Sequence, residues 1–260
     1  MAEGGGEGTV GKALEVLEAV AAHGRPVRFA ELQPGSPFPK ATLYRLLQTL
    51  TQQGMLRHDP EGGHYSLGLR LVRLAHTAWA TATLAPIARP WLDRLAQETG
   101  ETVHLAQLDQ GQVLYIDKRH ASRPVAMYSG AGKVGPAYCT GVGKAMLAHL
   151  PPPALAEALT RQSFHRFTPA TLDSPDRLCA ELAVIRAKGH ALDREEHEPG
   201  IICCAVPILA QGGRVIGALS LTSTTLRSTL AALEARAPDL TAMAAEIAKA
   251  AETWQFPETP

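Results

Sequence analysis

The chain has 260 residues, sets 25 lysines and arginines against 25 acids, and is 45% hydrophobic with 5% aromatics. That length supports two modest domains, each with its own core. A net charge of zero excludes a generic polycation for nucleic acids, and no stretch approaches the roughly 18 apolar residues a membrane span needs.

The opening residues, 1–8, are glycines and acids with neither the basic nor the apolar region of an export signal, and are expected to form a disordered tail on a cytoplasmic protein. Val10, Leu14, Leu17 and Ala21 then recur at helical spacing, with Glu15 and Glu18 facing away. After a break at His23–Pro26, a short second helix is expected at Phe29–Leu32, stopped by Pro34 and Gly35. The third helix, Pro39–Gln52, carries the clearest pattern. Leu43, Leu46, Leu47 and Leu50 form an apolar stripe, Pro39 suits the first turn and Gly54 the stop.

Two short strands, Met55–His58 and His64–Leu67, flank the turn Asp59-Pro60-Glu61-Gly62-Gly63. Three helices followed by a hairpin is the order of a winged helix-turn-helix, whose third helix enters the major groove. Between Thr9 and Ala78 eight basic residues stand against five acids, a mild surplus. The exposed face of the third helix is more telling. It offers Arg45, Gln48 and Gln52, flanked by Thr42, Tyr44 and Thr49, and no acid falls between Pro39 and His58. Such groups donate to phosphates and base edges, which a carboxylate would repel. A solvated protein-interaction module is the plainer alternative.

From Gly68 to Thr99 the pattern reads as two helices: a linker over 68–81, then the opening helix of a domain spanning 82–260, with Pro90 expected to kink or divide the region. The winged helix-turn-helix occupies 9–67. In the second domain, strands at Thr102–Leu108 and Gln112–Lys118 meet at Asp109-Gln110-Gly111. Helices are expected at Val142–Leu150, Leu155–Arg161 and Pro175–Lys188, strands at Ile202–Leu209 and Val215–Ser223, and a closing helix at Leu230–Trp254. Antiparallel strands with interspersed helices imply an α+β fold. The four cysteines (Cys139, Cys179, Cys203, Cys204) show no CxxC spacing and read as reduced thiols, with Cys203 and Cys204 pointing to opposite faces of a strand.

Three segments resemble the IclR family of bacterial regulators. Pro39–Leu47 (PKATLYRLL) is similar to that family's recognition helix. Gly135–Ala148 (GPAYCTGVGKAMLA) is similar to its effector-domain signature, and Glu195–Cys203 with Gly217–Thr222 gives a third match. The resemblance covers nearly the whole chain in family order. It implies a GAF-like C-terminal domain that binds a small acidic metabolite, and a homodimer or dimer of dimers on a palindromic operator of double-stranded DNA. Effector-contacting positions then fall on Gly141, Val142 and Gly143, and on Asp193, Cys203, Ser220 and Thr222. A glycine-rich loop opening a helix offers amide groups to a carboxylate. Met127 and Tyr128, with Tyr138, are candidates for an apolar pocket wall. The phrase Met127–Lys133 is similar to members that sense sugar-derived acids, with aromatic and short keto acids also open.

DNA contacts are expected at Lys40, Thr42, Tyr44 and Arg45, and from the wing at Arg57, His64 and Tyr65. Two departures from the family stand out. Ala41 replaces a usual serine, removing one contact, and Gln33–Phe38 replaces a normally helical stretch, which shortens the second helix.

Thr140-Gly141-Val142-Gly143-Lys144-Ala145 is not a nucleotide loop, because Tyr138 stands where the first glycine is needed and Ala145 where Ser or Thr must be. The run Asp193, Glu195, Glu196, His197, Glu198 is expected to face mostly solvent, with no paired nucleophile. No catalytic residue, metal site or cofactor is therefore expected, and the reading is a regulator, a repressor rather than an activator. The rival is a small-molecule enzyme carrying an N-terminal interaction module.

Overall fold

The computed structural model describes residues 8–82, 84–122 and 125–252. All but Gly8 of the expected tail, and Trp254 at the end of the expected last helix, lie outside them. The chain divides into two compact units between Ala78 and Trp79.

In the first unit, α1 (Thr9–Ala22), α2 (Phe29–Leu32) and α3 (Lys40–Gln52) pack with a three-stranded antiparallel sheet of β1 (Val27–Arg28), β2 (Leu56–Asp59) and β3 (His64–Leu67), in the order β1-β3-β2. Leu43, Leu46, Leu47 and Leu50 of α3 are buried against Val16, Leu17 and Val20 of α1, as the leucine spacing requires. Pro39 stands one place outside α3 as its N-cap. The short α2 is held by Glu31, which accepts from the Arg28 amide at 2.9 Å and from Arg25 at 2.5 Å. The β2–β3 turn is fixed by Asp59, whose carboxylate accepts from the amides of Glu61 and Gly62 at 3.2 Å.

The end of α3 is fastened to the start of α4 (Leu69–Ala82). Gly54 ends α3 in the left-handed conformation (φ 69°), and its carbonyl accepts from the Arg70 amide at 3.4 Å. Arg70 also donates to the Gln53 carbonyl at 2.9 Å, and the Gly68 amide to the Met55 carbonyl at 2.8 Å. The approach is so close that a Cβ on Gly68 would lie 2.1 Å from the Gly54 oxygen. Only glycine fits there.

The second unit centres on a six-stranded sheet in which all neighbours are antiparallel, in the order β6-β5-β4-β9-β8-β7. Its strands are β4 (Thr102–Asp109), β5 (Gln112–Arg119), β6 (Val134–Gly135), β7 (Ala191–Arg194), β8 (Ile201–Leu209) and β9 (Val215–Thr224). On one face α5 (Ala85–Thr99), α9 (Leu230–Glu234) and α10 (Ala237–Ala251) pack over Val103, Leu105, Cys204, Val206, Leu219 and Leu221. On the other, α6 (Gly141–Leu147), α7 (Pro152–Thr160) and α8 (Pro175–Lys188) cover Ala106, Cys203, Ala205 and Ala218. The two-residue alternation of β8 thus sends Cys203 and Cys204 to opposite faces.

Three expectations are corrected. The closing helix is two, α9 and α10, because Pro238 near the start of α10 cannot continue a helix from α9. Pro90 does not divide its region, since α5 runs through it. Pro86 and Pro90 are both exposed, so water can serve the carbonyl left without a donor. Third, the run from Asp193 does not face solvent. Asp193 and Glu196 are buried, and Glu195, His197 and Glu198 are half-buried.

Candidate functional site

In the first unit, Lys40, Tyr44 and Arg45 are exposed on α3 with Gln48, Thr49 and Gln52, while Thr42 is half-buried. The four leucines take the inner face, so this polar set is what the helix presents. The Arg45 side chain makes no hydrogen bond or ion pair among the described residues. Arg57 is exposed on β2, and with half-buried His64 it borders a shallow concavity that also includes Arg25, Asp59 and Ser66. Tyr65 corrects the expectation. It is 5% exposed and belongs to the core with Val16 and Leu47, because on β3 it alternates inward between His64 and Ser66.

In the second unit, the sheet register assembles a polar cluster from distant segments. Asp193 pairs with Cys203, Cys203 with Thr222, and Ser220 with His104, so two adjacent rows cross β7, β8, β9 and β4 on the face covered by α6. These side chains line a small cavity of about 30 Å³ with Tyr115, Ser129, Thr140, Gly141, Val142, His197, Glu198 and Ile201. His104 links three of the lining hydroxyls. One ring nitrogen lies 3.2 Å from Thr222 Oγ1 and 3.4 Å from Ser220 Oγ; the other is 2.7 Å from Ser129 Oγ. Burial, with Lys118 and His120, pushes its pKa down to about 3, so the ring is neutral and offers one donor and one acceptor.

Asp193 Oδ1 accepts from the Glu196 amide at 2.9 Å. Burial and then the Glu196 charge raise its pKa to about 7, against the opposing pull of Lys144. Lys144 is wholly buried behind the cavity and donates to the Leu192 carbonyl at 2.7 Å and to Glu196 Oε1 at 2.5 Å. Glu198 accepts from the Tyr128 amide at 3.0 Å, and its pKa is lowered by His197 and that amide despite burial. Gly141 is required by close packing, since a Cβ there would sit 2.4 Å from Cys203 Sγ.

Of the sequence-derived effector positions, Gly141, Val142, Asp193, Cys203, Ser220 and Thr222 lie on the cavity. Met127, Tyr128 and Gly143 do not line it. Tyr128 is exposed and stacks edge-on against His197, and Gly143 is needed because a Cβ would meet the Ala137 carbonyl at 2.4 Å. Among the lining residues that sequence reasoning missed, His104 had a readable signal: it alternates with Val103 and Leu105 as Ser220 does with Leu219 and Leu221. Burial pushes the Cys203 thiol well up, so it is no nucleophile. Among the described residues, no group of three or more histidines, cysteines or acids is placed to hold a metal ion.

The family profile described as the IclR helix-turn-helix domain matches residues 9–60, and that of the bacterial transcriptional regulator IclR C-terminal domain matches 76–249. The chain belongs to the IclR family. Like other IclR-family members it is a DNA-binding transcriptional regulator, in a family of regulators and not of enzymes. It is 36% identical to the HTH-type transcriptional regulator XynR of Escherichia coli over 219 residues, covering 84% of this chain and 87% of that one. The transcriptional repressor IclR of Escherichia coli is 33% identical over 220 residues, covering 84% and 80%. The crystal structure of the Thermotoga maritima IclR superposes with a TM-score of 0.74 at 29% identity, covering 93% of this chain and 97% of that one. The winged helix with a C-terminal α+β domain is thus the IclR fold.

Proposed function

We propose that this regulator represses transcription by binding a palindromic operator as a dimer or dimer of dimers, and that a small carboxylic acid in the sheet cavity changes its operator affinity. The observation that carries the sensing half is the lining of the cavity: buried hydroxyls, a neutral imidazole and the carboxyl groups of Asp193 and Glu198 converge on one site. A hydroxylated acid, such as a sugar-derived acid, matches that lining better than an aromatic or short keto acid. No cofactor is needed for such a cycle. Among the described residues no helix is long and apolar enough to cross a membrane, and a cytoplasmic site of action follows from the proposed role.

Pairing of two copies is supported by exposed apolar side chains in the first unit. Leu69 (81% exposed) and Val72 (62%) stand three residues apart on one side of α4, and Leu74, Val10 and Leu14 are also exposed. The ligand must favour one placement of the two recognition helices over another, because equal affinity for both would shift nothing. Residues 73–89, through which the chain passes from one unit to the other, carry that difference in this proposal.

Two measurements test the reading. Arg45→Ala is expected to weaken operator binding by roughly 1–3 kcal/mol and relax sequence preference. Fluorescence anisotropy across a salt series should show log-linear loss of affinity in the parent protein; unchanged affinity in the variant would remove Arg45 from the interface. Thermal unfolding of the full chain is expected to respond to the right acid. At a hundred times its Kd a ligand adds about 2.7 kcal/mol, visible as a melting shift that Ser220→Ala should abolish. A shift that survives Ser220→Ala places the ligand elsewhere.

A further inference from the structure

The cavity holds two carboxyl groups, Asp193 and Glu198, and among the described residues no lysine or arginine lines it. The nearby cations are committed elsewhere. Lys118 donates to the Ser129 carbonyl at 2.8 Å, Lys133 lies over the Tyr128 ring at 4.9 Å, and Lys144 is bound to Glu196 and the Leu192 carbonyl. Asp193 uses Oδ1 on the Glu196 amide, and Oδ2 has no hydrogen-bonding partner among the described residues. An incoming carboxylate therefore meets a carboxyl group with a free oxygen and no cation to balance them. Two like charges in one buried site do not both persist, and one carboxyl must hold a proton.

We infer that a carboxylate effector is bound together with one proton, held in a hydrogen bond between its carboxyl group and Asp193. The proton comes from solvent and no covalent bond changes. This rests on the acid-sensing reading above and adds what that reading lacks: the site selects a carboxyl group because Asp193 can donate to it, and occupancy falls as the medium becomes alkaline.

The groups surrounding Asp193 agree with this assignment. From β8 comes Cys203 and from the turn into α6 Cys139, both thiols pushed up by burial; from β5 comes the Tyr115 phenol, also pushed up. All three are neutral near pH 7. From α6 comes Lys144, with Glu181 of α8 3.9 Å away, and from the segment after β7 come Glu196, His197 and Glu198. Lys144 is bound to Glu196, and the His197 imidazole, 3.8 Å from Glu198, is the neighbour that the test must control for.

The test uses the full chain and three probes, D-gluconate, 4-hydroxybenzoate and pyruvate, each beside its uncharged amide. Calorimetry between pH 6 and 9, in phosphate and in Tris, reads both Kd and proton uptake. The acid that binds is expected to show a flat Kd below about pH 7 and about tenfold weakening per pH unit above it, with uptake approaching one proton at pH 8. Asp193→Asn should flatten the profile, and His197→Gln should leave it as in the parent. Acid binding with a flat profile and no uptake overturns the proton inference while leaving acid sensing intact. A slope that survives Asp193→Asn, or that vanishes in His197→Gln, overturns it as well. Failure of all three acids overturns both readings. Without any ligand, the Asp193 carboxyl carbon, assigned by its loss in Asp193→Asn, should titrate near neutral pH in carbon NMR; a midpoint below about pH 5 overturns the inference.

Discussion

Replacing Lys144 with methionine is expected to cost the second unit about 3–5 kcal/mol, the loss that follows when one partner of a buried ion pair is removed. Lys144 is wholly buried, and its ammonium group is satisfied by the Leu192 carbonyl and by Glu196. The variant would leave the Glu196 carboxylate in the interior with Arg194 at 3.8 Å as its nearest cation. One of its oxygens already lacks a hydrogen bond. Denaturant unfolding of the full chain measures the effect. The double variant Lys144→Met, Glu196→Leu should recover most of it, because replacing both charges by apolar groups removes the stranded one. Equal losses in the single and double variants would mean that Lys144 acts through packing alone.

Leu47→Ala is expected to cost about 2–5 kcal/mol, confined to the first unit. Leu47 is fully buried between α3 and α1 and has no route to the exposed face. A unit of this size buries little surface and has a small margin, so such a loss can exceed it. Operator binding should then fail although no DNA-facing side chain has changed. Two-step thermal unfolding separates this from a contact effect: the second unit should melt as in the parent while the first melts earlier. Loss of binding without an earlier transition would assign Leu47 a role in shaping the α3 surface instead.

What could be read in advance follows from the range of the forces involved. The leucine stripe of α3, the Asp59–Gly63 turn and the bounds of α8 are set by residues within a few positions, and they are where the pattern places them. The burial of Glu196 depends on Lys144, 52 positions earlier, and local hydrophobicity makes such a run look solvated. β7 escaped notice for the same reason: it is four residues long and ends in Asp193-Arg194. Tyr65 failed because a four-residue strand gives its alternation no fixed phase; which parity faces inward is decided by the core it meets. Ser129 lies outside any strand or helix, and only the fold brings it to His104.

The joint at Gly54, Gly68 and Arg70 bears on how a signal could be read out as spacing on DNA. Because α4 begins in direct backbone contact with the end of α3, a turn imposed on α4 has no slack to absorb it at its first residues. If α4 turns, the two helices are expected to move as a bent lever with its elbow at Gly54. A 13-residue helix is roughly 20 Å long, so a tilt of about 10° carries its far end through about 3.4 Å, the rise of one base pair. In a dimer of the kind proposed above, a small angular change delivered to α4 in each copy would be enough to move both α3 helices out of register with their half-sites, without unfolding anything.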